Sequence, residues 1–563
     1  MTRVGISFVL LLMLAVAAPA FAQGTALTGE IRDPQGAAVP DVTIRIARED
    51  GAVVRTVTTN ETGDYRVDQL PPGLFVVEIA KKGFRRRTAL VTVSAGAPAA
   101  LNIDLQVAGI DDAVVVTAAG IPQVTQETSK AVTIIEAQDI VARNETTVSE
   151  IVRFTPGVQI RNSGGPGQAT SMRIRGLRPD GSAVLIDGMR FRDASTIQAD
   201  ATSFLASLNF VAADRVEVLR GSGSSLYGTN AVGGVVNIVT RSGGGPLRPE
   251  AQLEAGSLGH FRARGSMSGG ALGDRLRYSA GALQFNLLDG LDGDDATRST
   301  GAQGMVQYDF STTANLMVRV LGSNDRVEPN SSPTGGGIPA ANIPQATIVD
   351  AIPVSPDQIE RSNRGLPVQI GNATYIPGRN DPDSLRTSSF LTTALRFRHS
   401  GWLGLSWQAS YQHVHTQRTF TNGVLGVGFQ PAAVNFSEIF GDIHTADTRA
   451  YMAPRTWINL SFGYEFEQER FRDVQDNNLS APRRIQTETR IRQNAHAAFG
   501  SAQFSLVDRR LQLSISGRTQ GFSISKPELT AVGVRSSYDG VAVSAPPGAL
   551  TGDVSAAYFL PAS

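Results

Sequence analysis

The sequence predicts an all-β membrane protein with one mixed interlude: an N-terminal β-sandwich, a compact α+β unit and an outer-membrane β-barrel. Three observations predict this class. From about residue 250 onward, apolar and polar residues alternate with period two over long stretches. Tight turns and long connections take turns along the same region. Beyond the N-terminal leader no apolar run approaches the ~20 residues that a membrane helix needs. Mean hydropathy is -0.07, as expected where strands present oil on one side and water on the other.

Composition excludes several functions. The 563 residues contain no cysteine, which removes disulfide scaffolds, thiolate metal sites and cysteine nucleophiles. Lys plus Arg and Asp plus Glu balance at 51 each, so bulk electrostatic binding of nucleic acid is not expected. There is no nucleophile elbow and no H-E-x-x-H, so neither an enzyme nor a resident cofactor is expected.

Residues 1–22, "MTRVGISFVLLLMLAVAAPAFA", combine a basic Arg3, an apolar run and a small-x-small ending at Ala20-Phe21-Ala22. This is the pattern of a secretory signal peptide. Residues 23–107 read as short strands such as "VTIRIAR", "DYRVDQL" and "LFVVEIA", separated by the turn signals "DPQG", "EDG" and "LPPG". Their spacing predicts a small β-sandwich. The words "GEIRDPQGAAVPDVTI" and "TTNETGDYRVDQLPPGLFVVEIAKKGF" resemble the carboxypeptidase regulatory-like domain. No row of exposed aromatics is visible, so a spacer or docking module is expected.

Residues 108–120 form a linker holding the short β-prone run Val114 to Thr117. Residues 121–243 mix both periodicities. Helices are expected at "EAQDIVARN" and "TVSEIVRF", the second stopped by Thr155-Pro156-Gly157. Strand-like segments joined by glycine-rich turns follow.

Residues 244–563 carry the barrel pattern. In "WINLSFGYEFEQ", Ile458, Leu460, Phe462, Tyr464 and Phe466 share one face, and Asn459, Ser461, Gly463, Glu465 and Glu467 share the other. "LSWQASYQ" and "LQLSISGR" repeat the split. His413 and His415 share the face of Trp407 and Tyr411, which suggests an interfacial girdle. Tight turns at "LGDR", "FSTTAN", "HSGW" and "LVDRRL" alternate with long connections around 289–298, 322–386, 418–448 and 471–489. Soluble sandwiches have no reason for that rhythm; membrane barrels do.

The words "VSEIVRFTPGVQIRNSGGPGQATSMRIRGLRPDGSAVLIDGMRF" and "DRVEVLRGSGSSLYGTNAVGGVVNIVTRSG", followed by "AQLEAGSLGHFRARGSMSGGALGDRLRYSAGALQF", resemble TonB-dependent outer-membrane receptors. The resemblance covers essentially everything after residue 110. It implies that 121–243 is a luminal plug and that the N-terminal domain lies in the periplasm. It also implies that Asp112, Ala113, Val114, Val115, Val116, Thr117 and Ala118 are the TonB box, which a TonB partner grasps by strand addition. β-Branched residues suit such an extended segment. Energy would come from the inner membrane through TonB, ExbB and ExbD. Structural positions in the plug fall on Arg173, Arg175, Gly176, Asp187, Gly188, Arg220, Gly221, Tyr227, Gly228, Gly233 and Gly234. The family's barrel has about 22 strands, whereas the alternation places about twelve here. The chain is therefore expected to be the N-terminal part of a longer barrel.

The implied cargo is a ferric siderophore or a cobalamin-like molecule, and the first apical loop is closest to the cobalamin branch. Asn162, Gln168, Arg190 and Arg192 are the candidate cargo contacts, in loops expected to face outward. An Arg–Glu network is expected between Arg173, Arg175 and Arg220 of the plug and lumen acids such as Glu465 and Glu467. Asp289, Asp292, Asp294 and Asp295 gather in one expected external loop, and Asp292, Asp294 and Asp295 are candidate calcium ligands without the EF-hand order. The run "RGSGSSLYG" matches neither phosphate-loop pattern, and lysine occurs only at 81, 82, 130 and 526. Tight turns and close strand approach account for its glycines. Two other classes fit parts of the pattern: an adhesive or structural surface protein, and a secreted carbohydrate-binding β-protein.

Overall fold

A computed structural model describes residues 25–559, apart from internal stretches that are chiefly 106–113, 116–122, 125–129, 290–295, 330–337, 340–354, 376–382, 424–433 and 534–541. The expected signal peptide lies outside the described residues.

The N-terminal domain is a two-sheet sandwich. One sheet orders Asp64–Leu70, Thr25–Arg32 and Ala99–Ala100, with Ile103–Asp104 also on Thr25–Arg32. The other orders Val53–Thr58, Thr43–Arg48, Gly73–Ala80 and Arg87–Val93. Strict alternation builds its core: Tyr65 and Val67 are buried while Asp64, Arg66 and Asp68 are exposed. Leu27, Ile31, Ile44, Ile46, Val77 and Ile79 fill the space between the sheets.

Of the expected TonB box, Val114–Val115 pairs antiparallel with Gln123–Val124. Asp112, Ala113, Val116, Thr117 and Ala118 lie outside the described residues.

The plug is a mixed sheet in the order Ala131–Glu136, Ala213–Arg220, Gly234–Thr240, Ser182–Ile186, Met189–Phe191. Two short helices, Ala137–Ala142 and Val148–Val152, pack on it. The second starts in a capping box: Glu150 N donates to Thr147 Oγ1 at 3.3 Å, and Thr147 N donates to the Glu150 carboxylate at 3.1 Å. Gly234 permits close strand approach, since a Cβ there would stand 2.4 Å from the Leu219 carbonyl oxygen.

The barrel region is one antiparallel sheet of thirteen strands. In chain order they are β1 Arg248–Ala255, β2 Phe261–Ala271, β3 Leu276–Leu287, β4 Thr297–Asp309 and β5 Ala314–Val327. Then come β6 Leu385–Trp402, β7 Leu405–Asn422, β8 Asn435–Arg455 and β9 Ile458–Asp476. The last four are β10 Gln486–Leu506, β11 Leu511–Ile524, β12 Glu528–Val532 and β13 Ala549–Tyr558. Each pairs with the next through β11, which then pairs with β13, while β12 adds to the upper part of β10. Among the described residues β1 and β13 are not paired with each other.

The strands outrun the sequence expectation. The connection expected over 418–448 shrinks because β7 reaches Asn422 and β8 begins at Asn435, and that over 471–489 shrinks to 477–485. Above the apolar band both faces of a strand meet polar surroundings, so the pairing continues where the hydrophobic period has stopped. No helix among the described residues is long and apolar enough to cross a membrane, as befits a chain that crosses with strands.

The sandwich touches the short-turn rim of the barrel. Arg48 Nη2 lies 2.9 Å from Asp309 Oδ2, and Arg277 Nη2 lies 3.4 Å from Asp309 Oδ1. One carboxylate at the end of β4 thus holds a sandwich arginine and a barrel arginine together.

Candidate functional site: the seam between plug and barrel

The seam begins at a tight turn of the plug. Asp187 and Gly188 join two strands with φ of 51° and 78°, the paired left-handed conformation of a type I′ hairpin turn. The Asp187 carboxylate accepts from Thr240 N at 2.8 Å and Thr240 Oγ1 at 2.9 Å, which ties the turn to its own sheet. From the barrel wall, Arg319 Nη1 donates to Asp187 Oδ2 at 2.6 Å and to the Ile186 carbonyl at 2.7 Å. Arg396 Nη1 donates to the Asp187 carbonyl at 3.0 Å. Burial by itself would raise the Asp187 pKa, but Arg319 and Arg396 overturn that and hold it below the usual carboxylate range.

The strand leaving this turn carries Arg190, and Arg192 follows just past its end, two residues on. On β9, Glu465, Glu467 and Glu469 repeat with the same period and face the lumen. Arg190 Nη2 donates to Glu465 at 2.7 Å and to Glu467 at 3.0 Å. Arg192 Nη2 bonds both Glu467 and Glu469. Arg518 of β11 donates to Glu465 at 2.6 Å. Three guanidiniums and three carboxylates therefore alternate in one file: Arg518, Glu465, Arg190, Glu467, Arg192, Glu469. None of the six side chains is more than 14% exposed, so each charge depends on its neighbours rather than on water.

Neutral contacts flank the file. Ser225 and Ser516 share a hydrogen bond of 2.6 Å between plug and β11, and Tyr227 is buried with Leu226 and Phe499. At the other end Thr416 Oγ1 donates to Asp193 at 3.0 Å. Arg418 donates to Ser195 Oγ at 3.0 Å and to the Ser195 carbonyl at 2.7 Å. Arg386 of β6 donates to the Gly167 carbonyl at 2.6 Å. Two wall arginines thus hold two plug loops at the long-loop end.

The expected residues separate accordingly. Asn162 is exposed and Gln168 half-buried, both in the hairpin of Val158–Asn162 and Thr170–Ile174 or its connection. Arg190 and Arg192, expected among cargo contacts, are instead engaged by the wall glutamates beneath. The expected network forms with a different cast. Glu465 and Glu467 meet Arg190, Arg192 and Arg518, whereas Arg173 and Arg175 are exposed and Arg220 Nη1 donates to the Pro156 carbonyl at 3.4 Å. Arg175 sits at φ 54° beside Gly176 at 72° and lies against Gly221. Gly228 has φ of 87° and ends the turn that carries Tyr227, while a Cβ at Gly233 would come 3.1 Å from the Ile174 carbonyl oxygen. Asp292, Asp294 and Asp295 lie outside the described residues, and no metal-holding group of His, Asp and Glu occurs among the described ones. Arg319, Arg386, Arg396 and Arg418 were not anticipated. Each falls on the lumen face by alternation alone, which is the signal that could have found them.

A strand sheet with a lipid face and a lumen face, and a folded unit fixed to the lumen face by buried polar groups, define an outer-membrane β-barrel with an internal plug. Comparison with known proteins gives the particular family. Residues 124–235 match the TonB-dependent Receptor Plug Domain, 355–561 the TonB dependent receptor-like β-barrel, and 26–106 the Carboxypeptidase regulatory-like domain. The chain thus carries the plug and β-barrel domains of TonB-dependent receptors behind a carboxypeptidase regulatory-like domain.

The Vitamin B12 transporter BtuB of Vibrio cholerae is 37% identical over 164 residues, 29% of this chain and 26% of the transporter. That of Photobacterium profundum is 34% identical over 183 residues, 32% of this chain and 29% of the transporter. The match thus spans little more than a quarter of these curated relatives. Among solved structures, the ferric yersiniabactin uptake receptor FyuA from Yersinia pestis superposes with TM-score 0.54 at 15% identity, covering 76% of this chain and 60% of that one. FpvA of P. aeruginosa bound to a pyoverdine gives 0.58 at 16%, covering 79% and 57%. At such identities the likeness concerns the fold.

Proposed function

We propose that the protein takes up a scarce, bulky nutrient, a cobalamin-like molecule or a ferric chelate, by energy-coupled transport through TonB with ExbB and ExbD. The observation that carries this reading is the file of six buried charges between plug and wall. A plug meant to stay would be better fixed by apolar packing; a charged seam is stable while dry and loses its advantage once water enters. The relatives named as vitamin B12 transporters support cobalamin among the cargo classes. Asn162 and Gln168 are the proposed cargo contacts, and Arg386 and Arg418 hold the loops that would sense cargo. Asp112 to Ala118 are the segment TonB would grasp, with the N-terminal sandwich on the periplasmic side. For cargo to signal, it must bind more tightly to the state in which that segment is free.

None of these 563 residues is cysteine, so a cysteine introduced here has no competitor among them. Val115→Cys in the full-length gene product is exposed to a periplasmic TonB domain bearing a single cysteine, with and without cyanocobalamin or a ferric chelate. Disulfide trapping that rises with one cargo supports the box, the coupling and that cargo together. No trapping at Val115 or its neighbours in a correctly inserted barrel would overturn the reading in favour of a structural surface protein.

A further inference from the structure

On the outer face of the barrel, two arginines meet head-on with no carboxylate between them. The lumen-facing Glu465, Glu467 and Glu469 fix the alternation of β9, so Arg470 and Arg472 point outward. Register sets Arg470 directly opposite Arg492 of β10, and Arg472 opposite Arg490. Glu488 serves the upper pair, 2.7 Å from both Arg472 and Arg490, and Glu528 of β12 faces Arg490. Asp442 of β8 faces Arg470 but accepts from His413 and His415 at 2.9 Å each. Among the described residues neither Arg470 nor Arg492 makes an ion pair, and Arg470 donates to the Gln468 amide at 2.9 Å. Like charges directly opposite on neighbouring strands destabilise a sheet, and an anion held between the two guanidinium forks reverses that sign.

Height on the barrel says which anion. Below the pair, the outward side chains of β9 are Ile458, Leu460, Phe462, Tyr464 and Phe466, a stretch of the length that crosses the hydrocarbon core. Gln468, hydrogen-bonded to Asn494 at 3.1 Å, closes that band. The arginines stand just above it, on the side of the 477–485 connection, whereas the other ends of β9 and β10 meet the tight turns. Long connections mark the external side. We propose that Arg470 and Arg492 bind the phosphate of a phosphorylated glycolipid of the outer leaflet, whose acyl chains lie along Phe462, Tyr464 and Phe466. One molecule then satisfies both the opposed cations and the apolar band beneath them.

The test uses full-length protein extracted from outer membranes in a mild non-ionic detergent, with bound glycolipid counted by native mass spectrometry. Arg470→Gln with Arg492→Gln, and Arg492→Gln alone, are compared with Arg484→Gln, an arginine of the 477–485 connection already paired with Asp476 at 2.6 Å. The double variant is expected to lose about tenfold in retained glycolipid, the single variant less, and Arg484→Gln nothing, all three keeping heat-modifiable migration. The single variant relieves the opposed charges and so keeps the test valid if the double variant folds poorly. Delipidated protein is then offered the phosphorylated glycolipid, its dephosphorylated form, or inorganic phosphate. Equal retention by the variants, equal binding of the dephosphorylated form, or displacement by millimolar inorganic phosphate would each overturn the proposal.

Discussion

Arg190 of the plug and Glu465 of the barrel wall lie 2.7 Å apart, with side chains only 7% and 6% exposed. Glu465 also holds Arg518, so one carboxylate answers two guanidiniums across the seam. Its removal leaves Arg518 without an acid in a place that water does not reach, and Arg190 with Glu467 alone.

Glu465→Ala is therefore expected to loosen the plug by roughly 3–5 kcal/mol, the cost of an uncompensated buried charge. Urea titration followed by limited proteolysis of the plug measures it. Arg173→Ala, at an exposed position outside the file, serves as the control and should leave the midpoint unchanged.

Asp187 makes the seam sensitive to acid. Its native pKa is depressed, so its contribution is full above the unfolded value of about 3.9 and fades as pH falls through the lower native value. Plug release measured against pH should show an acid limb. Asp187→Asn should weaken the plug at neutral pH and flatten that limb.

Two glycines separate collision from backbone strain. Gly234→Ala would push a Cβ to 2.4 Å from a backbone carbonyl oxygen that cannot swing away, whereas Gly176, at φ 72°, has nothing within 4 Å. Gly176→Ala should cost roughly 1–2 kcal/mol of plug stability from the left-handed conformation. Gly234→Ala should cost about 3 kcal/mol or prevent the sheet from closing. Thermal melts of the two variants decide the order.

At the opposite rim, Arg48→Ala should free the sandwich while leaving the barrel folded, because Asp309 keeps Arg277. Asp309→Ala should release the sandwich too and also leave the buried Arg277 and the half-buried Arg48 without this acid. Hydrogen exchange in the turn after β4 reads both effects: faster in each variant, and more so in the second.

The fold was legible where burial imposes a period. The apolar face of Ile458 to Phe466 announces a strand because lipid selects every second residue, and "DYRVDQL" is a strand from Asp64 to Leu70 for the same reason in a soluble core. Strand ends above the membrane were not legible, since Arg470 and Thr487 both sit in a ladder that no hydrophobic contrast marks. The seam was half legible. That arginines of the plug would meet Glu465 and Glu467 follows from facing, but which arginines depends on how the plug sits in the barrel. A sharper signal was present: Arg190 and Arg192 repeat at the spacing of Glu465, Glu467 and Glu469, and two oppositely charged combs of equal pitch fit together. Arg173 and Arg175 have that pitch as well, yet they belong to a hairpin that points elsewhere.

The file of charges has a consequence for how such a plug could move. The plug contributes only Arg190 and Arg192 to it, while Glu465, Glu467, Glu469 and Arg518 stay on the wall, so displacement draws two positive charges past a row of carboxylates, and each step exposes one cation and one anion together. A greasy gasket would resist the first ångström of wetting and every ångström after it. This one behaves like a zip fastener: its teeth hold only while neighbours are engaged, and a pull at one end has to open a single tooth at a time.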